Sequence, residues 1–315
     1  MREVLTLVLI TCAIVPASRS FAQVKMSREQ VFFYTSEWKG ERFSDGRPKL
    51  PDDLLQRAVG MTIEDIWDFL REHGYENQFE GGWQSLHDDK PFAGRALTAQ
   101  YMPMRPDMAR AIDREGKAER RVGDTNSWPI AELQPGDVYV ADGFGKIISG
   151  TLIGSNLGNG IAAHSHTGFV FNAGIRDQEE NREIPNFNGL YRGYDPSDWA
   201  QMELTAINAP LRIGRAVVLP GDLVLVKPKE GVIFIPAILA EAAISSAEFT
   251  ALEDAFNFEL TRHGKNGAQF EGGWTREKYD AFAKWIDEHP DQLKMPRSEF
   301  DAILAKERNH AALEK

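Results

Sequence analysis

Arg176 and Asp177 stand next to each other just after Gly168-Phe169-Val170-Phe171, a run with the aromatic and β-branched composition of a strand. An arginine where a strand gives way to a loop can fork onto a carboxylate. The aspartate beside it offers a hard oxygen suited to magnesium or manganese. Some twenty residues upstream lies Gly154-Ser155-Asn156-Leu157-Gly158-Asn159. Ser155 or Asn156 can cap a short helix there, and the free N–H groups of a helix start attract an anion. Chemistry on a small oxo-acid needs this set: donors for its carboxylate, a cation near its developing enolate, and a metal to polarise its carbonyl. Taken alone the Arg-Asp dipeptide says little, because most such pairs are surface ion pairs.

Other chemistries find less support. His164-Ser165-His166 has the His-x-His form of a zinc or copper pair, but no third ligand follows nearby, which favours a solvated or supporting role. Cys12 is the only cysteine and falls in the first 22 residues, leaving no thiol nucleophile, disulfide or cysteine metal site beyond them. The formal charge is −11 with scattered basic residues, which argues against nucleic acid. No glycine-rich strand–helix loop suits S-adenosylmethionine, so a methyltransferase is not expected.

Several elements must position these residues. Residues 1–22 read as a signal peptide: Arg2, an apolar run from Val4 to Val15, Pro16, and a small-x-small site at Ser20-Phe21-Ala22. The run is too short to span a membrane comfortably. The chain is therefore expected to be exported, periplasmic or extracellular. Residues 23–60 read as an irregular lead-in. Ile63, Ile66, Trp67 and Leu70 then mark one face of a helix, capped by Thr62 and ended by Gly74. Between 92 and 240 short strands dominate: Arg95–Tyr101, Val138–Ala141, Gly168–Phe171, Ala216–Leu219 and Leu223–Val226. Pro135-Gly136-Asp137 and Pro220-Gly221-Asp222 each read as a turn feeding a strand. Residues 241–315 read as a helical extension. Its signals are a capping-box pattern at Ser245-Ser246-Ala247-Glu248, then Phe249, Leu252, Phe256 and Leu260 at helical spacing, with Gly264 to close. Tyr279, Phe282 and Ile286 mark another helix, and Phe300, Ile303 and Leu304 a last one. Gln78-Phe79-Glu80-Gly81-Gly82-Trp83 recurs as residues 269–274, read as two aromatic-anchored turns. Trp67, Trp83, Trp199 and Trp285 read as packing residues.

Five segments together carry a resemblance: Leu133–Asp142, Gly154–Asn159, Gly174–Asp177, Arg212–Asp222 and Gly231–Pro236. In that order they resemble the RraA-like family, on the branch of the 4-hydroxy-4-methyl-2-oxoglutarate/4-carboxy-4-hydroxy-2-oxoadipate aldolases, over roughly residues 92–240. The resemblance implies an α/β fold, a compact ββα swivelling domain with mixed sheets, assembled as a trimer or hexamer. It implies that Arg176 grips the pyruvyl carboxylate and steadies the enolate. Asp177 would hold a divalent metal, Mg2+ or alternatively Mn2+, partly through water. The backbone N–H groups of Asn156, Leu157 and Gly158 would receive the carboxylate. The family's regulator branch, which inhibits ribonuclease E, lacks the aspartate after the arginine, and Asp177 sets this chain apart from it.

One position departs from the pattern. The aldolases carry an acid about 21 residues before the arginine, where this chain has Ser155, and a hydroxyl is no base at neutral pH. Asp142, Glu80 and Glu271 are the candidates to replace it. Glu230 is a lesser change, standing where the family often has Asp. The expected function is a metal-dependent lyase, an aldolase or oxaloacetate-type decarboxylase acting on a hydroxy-oxo acid. The alternative is a non-catalytic binding module on the same fold, its site degenerate at Ser155.

Overall fold

The computed structural model describes residues 24–263 and 274–313. The expected signal peptide, Gly264, Glu271 and most of the second Gln-Phe-Glu-Gly-Gly-Trp copy lie outside the described residues.

Three short helices open the described chain: α1 (Arg28–Tyr34), α2 (Asp52–Val59) and α3 (Ile63–Glu72). The first two correct the expectation of an irregular lead-in. Ser27 and Gln30 form a reciprocal capping box on α1, and Pro51 with Asp52 and Asp53 starts α2. Thr62 caps α3 as expected, accepting the Asp65 amide, and Gly74 takes the positive φ of +84° that ends it.

The centre is a mixed nine-stranded sheet. β1 (Phe79–Glu80) and β2 (Gln84–Ser85) lie at opposite ends of its path. Between them run β3 (Phe92–Pro103), β4 (Asp137–Asp142), β5 (Gly168–Ile175) and β6 (Asn188–Tyr194), paired in parallel in that order. β3 also pairs antiparallel with β7 (Met202–Ile207), and β10 (Leu223–Lys227) joins β3 to β11 (Gly231–Ile235). A hairpin of β8 (Leu211–Ile213) and β9 (Ala216–Val218) forms a second small sheet. Both Pro-Gly-Asp segments are turns into strands, with Gly136 at φ +83° and Gly221 at φ +89°.

Side chains alternate across the sheet, so each strand feeds two cores. Leu97, Tyr139, Ala141, Phe169 and Phe171 pack on one face, with α4 (Pro106–Ala118) and α5 (Ser155–Ser165). Val138, Val140, Val170 and Leu190 pack on the other, against the β8–β9 hairpin. A third core joins α2 and α3 to Leu223, Leu225, Ile233 and Ile235, under the first turns of α7 (Ala240–Arg262).

The expected start of α7 at Ser245 is corrected. The helix begins at Ala240 and runs through the Ser-Ser-Ala-Glu segment without a break. Those polar side chains bind sideways instead. Glu248 and Ser245 both accept from Arg57 of α2, and Ser245 also bonds Glu299. The far half of α7 joins α8 (Arg276–Glu288) and α9 (Arg297–Leu313) around Phe249, Phe256, Phe282, Trp285 and Phe300, the expected helical extension. Among the described residues no helix is long and apolar enough to cross a membrane.

Candidate active site

The chain leaves β5 at Ile175, and the carboxyl ends of parallel strands are where α/β sheets present ligand sites. Segment 151–153 runs beside this end: the Leu152 amide donates to Gly174 O at 3.0 Å, and the Arg176 amide to Ile153 O at 3.0 Å. That pairing sets Gly154 and the start of α5 against Arg176 and Asp177. A Cβ at Gly154 would overlap the Asp177 carboxylate and come within 2.9 Å of Arg176 Nε. Only glycine lets the two segments meet this closely.

Asp177 sits at φ 51° and ψ 49°, the left-handed region that aspartate tolerates better than most residues. Asn181, on α6 (Gln178–Arg182), holds this bend. Its Nδ2 donates to Arg176 O at 3.1 Å and to Asp177 O at 2.8 Å. The bend turns the Asp177 carboxylate toward α5, where Oδ2 accepts the Ser155 amide at 3.0 Å.

The amides of α5 divide three ways. Ser155 donates to Asp177, as above. Gly158 donates to Gly154 O at 2.9 Å in the helix ladder, so the structure corrects the expectation that it serves substrate. Asn156 and Leu157 have no acceptor among the described residues. These two amides and the positive end of the α5 dipole remain for an anion.

Arg176 bonds Asp198 through Nη1, and its Nε stands 3.8 Å from Asp177 Oδ2. The Arg176 side chain is 37% exposed and that of Asp198 75%, so water screens the pair and it contributes little, on the order of 0–1 kcal/mol. A substrate carboxylate can displace it cheaply. Asn156, Leu157, Arg176, Asp177, Asp198 and Trp199 share a cavity of about 80 Å³, the scale of a small acid. Asp198 and Trp199 are additions from the structure. Asp195 caps the turn before them by accepting the Ser197 amide, and Trp199 packs edge-on to Tyr101. No pattern in the sequence marks Asp198, whose only link to Arg176 is spatial.

Two of the three candidates for the missing acid, Glu80 and Asp142, lie elsewhere; Glu271 is outside the described residues. Glu80 is held by Arg192 at 2.7 Å and by the Arg215 amide at 3.1 Å. Asp142 accepts from Asn172 at 2.8 Å and Gln100 at 3.2 Å. Neither lines the Arg176 cavity. The first Gln-Phe-Glu-Gly-Gly-Trp copy is an aromatic-anchored turn, with Trp83 Nε1 donating to Glu80 O at 2.9 Å and Arg192 stacked 3.6 Å from the Trp83 ring. His164 and His166 are both exposed. Among the described residues no three His, Cys, Asp or Glu side chains gather to cage a metal. Magnesium does not require such a cage, since it commonly binds one or two carboxylates and keeps waters or substrate oxygens for the rest. Asp177, with Asp198 across the cavity, fits that donor set.

Solved structures share the fold. An uncharacterized protein from Pseudomonas syringae pv. tomato str. DC3000 superposes with a TM-score of 0.57 at 20% identity, covering 74% of this chain and 98% of its own. Streptomyces coelicolor RraAS2, an unusual member of the RNase ES inhibitor RraA protein family, superposes with a TM-score of 0.57 at 24% identity, covering 68% and 100%. A structure described as a novel cellulase from microbes of the gut ecosystem gives 0.57 at 20%, covering 73% and 96%. At these identities the likeness establishes a shared α/β fold. The family model for RraA-like proteins, Aldolase/RraA, matches residues 63–233, and the chain belongs to that family. It is a family of aldolase and decarboxylase members and of RNase E inhibitors. No curated protein is similar enough to this chain to match it.

Proposed function

We propose that the Arg176–Asp177 cavity is the active site of a divalent-metal-dependent lyase. Its reaction passes through a pyruvate enolate, by decarboxylation of an oxaloacetate-type acid or by aldol cleavage of a hydroxy-oxo acid. The observation that carries this reading is convergence: one small cavity joins two acceptor-free helix amides, an arginine and a half-exposed carboxylate.

Each group has a task in that chemistry. The Asn156 and Leu157 amides receive the substrate carboxylate. Arg176 leaves Asp198 and places its planar guanidinium against the oxygen on which enolate charge develops. Asp177 is the protein ligand for Mg2+ or Mn2+, anchored by the Ser155 amide and by its own backbone bend. The bound metal supplies Lewis-acid polarisation of the substrate carbonyl.

Ser155 shapes which bond breaks. Aldol cleavage needs a base for the substrate hydroxyl. Decarboxylation needs none, because the departing CO2 leaves its electron pair on the enolate, which then takes a proton from water. With Ser155 in the acid's place, and Glu80 and Asp142 engaged elsewhere, the carboxylate left beside Asp177 in the cavity is Asp198, and decarboxylation, which asks no base of it, makes the smaller demand. We further propose that the protein acts as an exported trimer or hexamer.

The mutual satisfaction of Arg176 by Asp198 and of Asp177 by Ser155 favours a second reading, a non-catalytic binding module. Pyruvate release from oxaloacetate and hydroxy-oxo acids, with Mg2+ and with chelator, separates the two.

A further inference from the structure

The two Pro-Gly-Asp turns hold their aspartates alike but match their charges differently. Asp137 Oδ2 accepts the Gln134 amide at 2.9 Å, and Asp222 Oδ2 accepts the equivalent Leu219 amide at 2.7 Å. Asp137 also pairs with Arg47 Nη2 at 2.9 Å, with both side chains wholly buried. Asp222 has no such partner. Its other oxygen accepts the Ala237 amide at 3.1 Å, and among the described residues no Lys, Arg or His pairs with it. A buried carboxyl without a counter-ion is costly to ionise.

Asp222 instead borders a cavity of about 250 Å³. Tyr34, Trp38 and Tyr75 supply aromatic walls, Glu37 lies at the exposed rim, and Gln78 lines the interior. The Gln78 amide nitrogen is committed to Val217 O and Phe234 O. Trp38 Nε1 is committed to Glu41 O at 2.8 Å, leaving its ring to the cavity. Tyr34 and Trp38 come from the segment before residue 63, outside the stretch that the family model matches. It shares no lining residue with the Arg176 cavity.

We infer that this cavity is a second ligand site, for a small organic cation such as a primary amine or quaternary ammonium. Asp222 is its counter-charge and Trp38, Tyr34 and Tyr75 are its aromatic walls. Aromatic rings around a carboxylate favour cations over neutral molecules of the same shape. Asp222 and Glu37 disfavour anions. Burial pushes the Asp222 carboxyl up to about 7, opposed only by its two amide bonds, so a cation can readily take the place of its proton.

The test is calorimetric titration of the full chain in phosphate buffer, free of amine buffers, with phenethylamine, 2-phenylethanol and tetramethylammonium. Phenethylamine and tetramethylammonium should bind saturably, and the neutral alcohol about tenfold more weakly than phenethylamine. Trp38→Leu should weaken amine binding about tenfold. Asp222→Asn should erase the preference for amine over alcohol. If that variant does not fold, Trp38→Leu and the alcohol comparison decide. Equal binding of amine and alcohol, no saturable binding of the two cations at millimolar concentration, or unchanged binding in Trp38→Leu would each overturn the inference.

Discussion

Asp177 and Asp222 are carboxylates at strand ends of the same sheet, handled in opposite ways. Asp177 follows a parallel strand on a left-handed residue, half-exposed, with one oxygen on a helix amide. Asp222 enters an antiparallel strand from a tight turn, 4% exposed, with both oxygens on amides. The first stays in contact with water, open to the metal proposed for it. The second is desolvated, and burial raises it toward neutral pH. Connection type produces the contrast. A loop leaving a parallel strand opens at the sheet's end, whereas a turn between strands folds back beneath the layers packed on it.

Neutralising the two acids should therefore break different properties. The largest expected effect is at Asp177. Asp177→Asn keeps a residue tolerant of left-handed backbone but removes the charge, and should lower metal-dependent lyase activity by about two orders of magnitude or more. Thermal unfolding should move by no more than about 0.5 kcal/mol, as befits a half-exposed loop side chain. Steady-state kinetics and melting on the same preparation check both halves.

Arg176→Lys should cost somewhat less, roughly 30- to 100-fold in kcat, because an ammonium cannot reproduce the planar two-donor fork. A loss confined to KM would place Arg176 in ground-state binding alone.

At Asp222 the expected loss is of stability, and it depends on pH. The folded protein holds the Asp222 proton up to about pH 7, against an ordinary value of 3.8. Stability from this group is therefore complete below the ordinary value and falls as pH rises to about 7. Beyond that it is constant. Roughly three units at 1.36 kcal/mol each sets an upper bound of about 4 kcal/mol. Asp222→Asn removes this slope and loses one of two amide bonds, a cost of about 1–3 kcal/mol. The variant should be the less stable protein near about pH 4 and should close or reverse the gap near about pH 8. A parallel pair of stability curves would show that Asp222 does not titrate in this range.

Gly154→Ala is the smallest of these changes in atoms and tests the close approach itself. Its backbone φ of −111° suits alanine, so the fold should survive. The added methyl pushes on Asp177 and Arg176, and roughly tenfold lower kcat/KM is expected from a displacement of this kind.

How much of this was legible in the sequence varied with the physical signal. Strands in β3, β4, β5, β9 and β10 were readable because their apolar runs are bounded by turn residues. β6 was hidden by Gly189 and Gly193. Those glycines are demanded by packing, since the Phe169 ring lies where a Gly189 Cβ would be. α1 carried a Ser-x-x-Gln capping signal too short to stand out, while the stronger-looking pattern at Ser245 lay inside a helix. Arg176 and Asp177 were legible as a strand-end pair, and the family resemblance gave the pair its meaning. Asp198 was not legible, because a turn 22 residues later returns it to Arg176 and no local pattern encodes that return. Nor could the sequence show that the Gly158 amide is spent within the helix.

Pyruvate release from oxaloacetate bears most directly on the proposed lyase. It should be run with Mg2+ and with chelator, on wild type, Asp177→Asn and Ser155→Asp, against a protein-free metal blank. Wild type should release pyruvate above the blank only when metal is present, Asp177→Asn should fall to the blank, and Ser155→Asp should extend activity toward hydroxy-oxo acids. Wild type at the blank on every substrate, with Ser155→Asp inactive despite bound metal, would contradict the lyase and leave a binding module in its place.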